Sequence, residues 1–403
     1  MKPVIPALPA LPALPASPHA LTRGKTVTPL SAGDSRPVRI SAGGKPRAKA
    51  GRARGRRPRP SAGARGKGRR LPAKTRRLGA RAAGAAAGRS AVRGTHTPGK
   101  QAAEASRAWA RWWNGRSRSG PGKVYLQHAR SFMLGYAKAS GLPVGRRIPL
   151  PTERSVAAVI HAAAGHPSIS AVLEQLGRLA LDEIIVVAGA LPDDKRRLIR
   201  EHPAGPVLVH YPESLGYGAG RAAGARFAAS DIVLFLEEHE PVQAEQLLPF
   251  IASIAKGNDL AVSAMPGQQV TFGGRDPAAM LKEFMNLTQG RRDLGTASLE
   301  HCPHALSRRA LDRLGAASLA VPPVAQTAAL LQGLRAAVVP LPSSPYRRAG
   351  IRQELYPSGA GPEVLMGDRL EAIHEHLRAA GPRSRYPDRL RKREAAKGAA
   401  TCE

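Results

Sequence analysis

The chain has 403 residues, enough for one large domain or two ordinary ones, and carries a formal net charge of +33. Its two cysteines, Cys302 and Cys402, exclude a disulfide framework and a C-x-x-C metal site, and no apolar run reaches the length of a membrane-spanning helix. The charge is unevenly placed. Residues 1–120 hold about 28 Lys and Arg against about two acids, and the remainder about 34 against about 27, so the basicity belongs to an arm and not to the fold.

Residues 1–22 repeat Ala-Leu-Pro. Proline at every third position interrupts any signal-peptide core and favours polyproline II, so the expectation is an intracellular, cytoplasmic protein. Residues 23–104 are Arg, Lys, Gly, Pro, Ala and Ser with almost no large apolar side chains. Such a composition cannot bury enough surface to offset its ordering entropy, and residues 1–104 are expected to form a disordered basic arm. Residues 105–147 bring in Trp109, Trp112, Trp113, Tyr125, Phe132 and Tyr136 and read as a helical lead-in, broken at residues 115–122.

From residue 155 strand and helix signals alternate. Strands are expected at 156–160, 183–188, 207–211, 231–236 and 260–264, with helices at 169–181, 193–202, 217–230 and 243–256 between them. Apolar residues at helical spacing (Ile169, Val172, Leu173, Leu176, Leu179) mark the first of these helices, and Asp193-Asp194 suit the first turn of the second. Further helices are expected at 277–287, 307–314, 322–333 and 366–380, with a strand at 336–341. This order implies βαβ units and a mostly parallel sheet. The chemistry-bearing stretch is DIVLFLEEHE, residues 231–240: a buried strand running into Glu237, Glu238, His239 and Glu240, at the strand end where open α/β sheets bind ligands.

The order of these motifs resembles family-2 glycosyltransferases of GT-A fold, well over residues 156–257 and more loosely to residue 340. The resemblance implies a three-layer α/β sandwich over residues 148–344, with a helical basic C-terminal extension over 345–403. It implies transfer of a sugar from a nucleotide-diphosphate donor to an unknown acceptor. Asp193 falls where the family contacts the nucleoside and Arg221 where it places an arginine near the phosphates. Glu237 and His239 fall on the D-x-D positions that bind Mn²⁺ or Mg²⁺, with Glu238 between them at the nucleotide sugar. Carboxylate oxygen and imidazole nitrogen both serve Mn²⁺. The first loop, HAAAGHPSI, lacks the Asn-Glu pair of the family, and AVPPVAQ stands where a carboxylate base would be.

Each assignment has a plainer counterpart. Glu237–Glu240 can be solvated acids capping a strand, and Asp193 a helix N-terminal residue. His161 and His166 read as loop histidines, and Cys302 as a partly buried structural thiol. Residues 216–224, rich in glycine, precede a strand where a dinucleotide fingerprint follows one, so they read as close helix-to-sheet packing. The second reading of the whole is a catalytically inactive GT-A-like scaffold whose arm binds polyanions, nucleic acid or an anionic surface polymer, by counterion release. The missing Asn-Glu pair and missing base favour that reading; Asp193, Arg221 and the acidic strand end favour the enzyme.

Overall fold

Val156–Ala162 (β1, VAAVIHA) is buried at every residue, as a strand must be when helices cover both faces of its sheet. The strand anchors a seven-stranded sheet with order β3-β2-β1-β4-β6-β5-β7. The others are β2 (Glu183–Gly189), β3 (Val207–Tyr211), β4 (Ile232–Glu237), β5 (Leu260–Ala264), β6 (His304–Ser307) and β7 (Ala336–Pro340). Pairings β1–β2, β1–β4, β2–β3 and β5–β7 are parallel; β6 runs antiparallel between β4 and β5. The computed structural model describes residues 73–91, 98–116, 120–141, 147–162, 168–216, 218–264, 277–341, 361–391 and 393. The expected α/β architecture with a mostly parallel sheet is therefore present, and among the described residues β6 is the one strand the sequence did not disclose.

Alternate residues of the central strands feed two apolar layers. Val156, Ala158 and Ile160 of β1 pack with Ile232, Leu234 and Leu236 of β4 against α4 (Ile169–Gly177) and α7 (Ala244–Ala255). Ala157 and Val159, with Val233 and Phe235, pack against α6 (Ala219–Phe227), α9 (Arg308–Leu314) and α10 (Pro322–Leu331). The helix α5 (Asp193–Arg200) follows β2, and α8 (Pro277–Thr288) precedes β6.

The lead-in is part of the first layer. In α2 (Pro98–Asn114) and α3 (Lys123–Ser140), Trp109, Trp113, Tyr125 and Phe132 are buried, and the Trp109 Nε1 donates to Tyr125, whose hydroxyl donates to the Pro149 carbonyl. The helices part at residues 115–122, where the sequence placed the break.

One expectation needs correction. Residues 73–91 and 98–104, assigned from composition to a disordered arm, are helical: α1 (Ala73–Arg89) and the start of α2. Large apolar side chains are unnecessary there because the backbones touch. A Cβ on Gly84 would lie 2.0 Å from the Phe132 carbonyl oxygen, one on Gly88 2.5 Å from that of Tyr136, and one on Gly135 2.1 Å from that of Arg81. Alanine favours the helix and glycine the approach, which lets small side chains suffice: Ala80 is buried in the apolar layer and Ala83 and Ala87 pack against it. The rest of the arm, residues 1–72 and 92–97, lies outside the described residues.

The C-terminal extension, α11 (Gly361–Ala380), packs along α10 and α8. All described residues fall in the compact unit Leu71–Glu403, so lead-in, sheet and extension share one body. Among the described residues no helix is long and apolar enough to cross a membrane.

Candidate functional site

The parallel pairing of β1 with β4 sets His161 opposite Glu237. Because Val159 and Phe235 face α6, the next alternate residues, His161 and Glu237, project to the same side. His161 is a strand residue and buried, not a loop histidine; the run VAAVIHA continues through it. His166 lies outside the described residues.

The helix α6 lies on this face at backbone contact. A Cβ at Gly220 would sit 2.1 Å from the His161 ring, and one at Gly224 2.3 Å from Val159 Cγ1. Gly218 begins the helix at φ 78° with the Ala320 carbonyl 2.1 Å from where a Cβ would be, so that position requires glycine. The glycines of residues 216–224 thus serve close helix-to-sheet packing.

That approach delivers Arg221 to Glu237. The Arg221 guanidinium is 2% exposed, is ion-paired to the Glu237 carboxylate, and donates to the carbonyls of Leu299 and Glu300, both at 3.2 Å. His239 Nδ1 stands 3.4 Å from the other Glu237 oxygen. Glu238 is buried, and its amide donates to the His161 carbonyl at 3.3 Å. Asp193 is placed apart: it heads α5, is largely exposed and pairs with Arg196 of the same helix. The structure thus brings Arg221, Glu237 and His239 together with Glu238 adjacent, and does not bring Asp193 into their hydrogen-bond network.

The electrostatics follow from burial and pairing. Burial pushes the Glu237 carboxyl up, but Arg221, His239 and His161 outweigh it and hold the group below the usual carboxylate range. Burial, helped by Arg221 and His239, lowers His161 to about 4 against the pull of Glu237, so its imidazole is neutral. Its Nε2 has no partner among the described residues. His304 of β6 stacks on Phe235 with ring centroids 5.1 Å apart, and burial with Arg221 lowers it to about 3. Cys302 is buried 3.7 Å from the His304 Nδ1, in keeping with a structural thiol.

Two donors can face one cation here. Adjacent ligands at about 2.1 Å in an octahedral shell stand about 3 Å apart, close to the 3.4 Å between Glu237 and His239. Among the described residues no group of three or more His, Cys, Asp and Glu could hold a metal. Glu237 and His239 supply two donors, and Arg221 already holds the Glu237 carboxylate. In the AVPPVAQ segment, which opens α10, the Gln326 amide is engaged by the Leu299 amide and Asn286, both at 2.8 Å, and there is no carboxylate.

Residues the sequence did not single out complete the surroundings: Glu300, Lys282 and Arg369, which form a buried charged group behind Arg221. Nothing local in the sequence marks Glu300 or its partners.

Residues 166–315 match the family model described as glycosyl transferase family 2. No curated protein matches the chain. Among solved structures, glucosyl-3-phosphoglycerate synthase from Mycobacterium tuberculosis, in complex with Mn²⁺, uridine diphosphate and phosphoglyceric acid, is 17% identical with a TM-score of 0.39, covering 59% of this chain and 80% of that one. A mycobacterial protein is 19% identical with a TM-score of 0.41, covering 58% and 76%. By the family match, the chain carries a glycosyl transferase family 2 region over residues 166–315, which holds Asp193, Arg221, Glu237, Glu238 and His239.

Proposed function

We propose that the chain transfers a sugar from a nucleotide-diphosphate donor to an acceptor, at the edge of the sheet where β1, β2 and β4 end. The observation that carries this reading is the assembly of Arg221, Glu237 and His239 at the end of β4, inside the matched region. Glu237 and His239 receive the diphosphate together with Mn²⁺ or Mg²⁺, which would supply charge stabilisation for the departing nucleotide. Arg221 holds Glu237 in one orientation and balances its charge. Glu238 fixes the strand end through the hydrogen bond its backbone amide donates to the His161 carbonyl, next to the sugar nucleotide. Asp193, exposed at the N-terminus of α5, takes the nucleoside and exchanges its Arg196 contact for the base.

The test is calorimetric titration of the full chain with UDP, GDP and dTDP, with and without Mn²⁺. Metal-dependent binding of one nucleotide, abolished in the double variant Glu237→Ala/His239→Ala, is expected. Unchanged binding in that variant would sink the site assignment, and no binding of any nucleotide by the wild type would sink the transferase reading.

A further inference from the structure

The helix α11 sends one arginine into the interior. Arg369 is 2% exposed, and its Nε and Nη2 donate to the two oxygens of Glu300 at 3.0 and 2.7 Å. Lys282 of α8 reaches the same carboxylate at 3.2 Å and the His301 Nε2 at 2.6 Å. Burial pushes the Glu300 carboxyl up, but Arg369 and Lys282 together hold it low, so it stays ionised. The backbone around Glu300 is pinned as well: the Leu299 amide donates to Gln326 of α10 at 2.8 Å and the Glu300 amide to Ser298 at 3.2 Å.

This pinned segment is what Arg221 leans on. The carbonyls of Leu299 and Glu300 accept from the guanidinium that also holds Glu237. A continuous chain of contacts therefore runs from the C-terminal helix to the strand end: Arg369 to the Glu300 carboxylate, the Glu300 main chain to Arg221, Arg221 to Glu237. A guanidinium binding a carboxylate through two nitrogens fixes its orientation, which an ammonium cannot do. Lys282 thus suffices to neutralise Glu300, while Arg369 is needed to orient it.

We propose that Arg369 is a positioning residue of the donor site, acting through Glu300 and Arg221 to fix the carboxylate of Glu237. As a statement about donor binding it rests on the function proposed above; as a statement about the strand end it does not. The contacts that carry it leave Arg369 beyond the reach of any ligand, so its effect is transmitted and not direct.

The experiment uses the full chain with Arg369→Met, Arg369→Lys and, as a control of general destabilisation, Phe132→Leu in the aromatic cluster of α2 and α3. Hydrogen exchange is followed over residues 237–240 and 298–301, and UDP, GDP and dTDP are titrated with Mn²⁺. In Arg369→Met, exchange over 237–240 should quicken and nucleotide binding weaken, each by about 2–30-fold, as for a residue coupled to a site through intermediate contacts. Arg369→Lys should fall between, and carries the test if the methionine variant does not fold. Phe132→Leu should change neither quantity beyond its loss of stability. Exchange over 237–240 that stays at the wild-type rate, or rises equally in the control, overturns the proposal. If the wild type binds no nucleotide, the donor reading fails while the exchange data still decide on positioning.

Discussion

Replacing Arg221 by methionine isolates what the buried ion pair contributes. The variant leaves Glu237, 13% exposed at its side chain, without its guanidinium, and two main-chain carbonyls without a donor. Removing one member of a buried pair costs about 3–5 kcal/mol, because the other charge remains buried. In a Glu237→Gln background it is the Arg221 guanidinium that stays buried without its counter-charge, so Arg221→Met there relieves that penalty while leaving the two carbonyls unsatisfied, and should cost at least about 2 kcal/mol less than in the wild type. The coupling between the two sites should therefore be at least about 2 kcal/mol, read from urea unfolding of the four proteins at pH 7.

The pH dependence gives a second, signed check. In the wild type Glu237 titrates below its ordinary value of 4.5, so its contribution is complete above 4.5 and is lost as pH falls through the folded value. Without Arg221 burial prevails and the folded value rises above 4.5; the penalty of the buried charge is then relieved as pH falls. The stability gap between wild type and Arg221→Met should narrow from pH 7 towards pH 4. Additive effects within about 0.5 kcal/mol, or a gap independent of pH, would refute the reasoning.

Two further perturbations follow from packing and burial. Gly224→Ala drives a Cβ into Val159 and Val187 and should destabilise by about 1–3 kcal/mol, whereas Gly79→Ala in α1, where a Cβ meets nothing within 4 Å, should stabilise by about 0.5–1 kcal/mol; equal shifts in urea midpoint would contradict the contact argument. His161 is neutral in the fold down to about 4, against 6.5 when exposed, so its share of stability is complete above pH 6.5 and about 3 kcal/mol is lost as pH falls from 6.5 to 4. His304, lowered to about 3, extends that loss to lower pH, and a flat stability profile between pH 7 and 4 would exclude both effects.

Periodicity made the sheet legible because each parallel strand is a continuous apolar run between helices with their own spacing. β5 was placed at residues 260–264 and is found there, and the helix after it begins at Pro277 as expected. β6 was missed because its four residues, His304–Ser307, carry a polar residue at each end and no run long enough to register; a partner strand on each side compensates. α1 was missed for a different reason: composition counts large apolar side chains, and this helix packs through alanines such as Ala80 and close main-chain approaches at Gly84, Gly88 and Gly135. At the site, Glu237 and His239 were visible as a polar break after an apolar strand. The tie of Glu237 to Arg221, 16 residues upstream, and those of Arg221 to the carbonyls of Leu299 and Glu300 are long-range and leave no local pattern.

The pairing of Glu237 with Arg221 bears on how much a metal matters to this protein. A strand end carrying two converging carboxylates needs a cation to relieve their repulsion. Here one carboxylate meets one guanidinium while His161 and His304 stay neutral, so those four side chains balance without any bound ion. A dication at Glu237 and His239 must then compete with Arg221 for the same carboxylate, and it gains most of its ligands from the diphosphate. Metal and nucleotide should accordingly bind as a unit: Mn²⁺ alone should leave the urea midpoint unchanged, and Mn²⁺ with the accepted nucleotide should raise it. Stabilisation by Mn²⁺ alone, lost in His239→Ala, would show that the protein's own donors suffice and that Arg221 yields its carboxylate without the diphosphate.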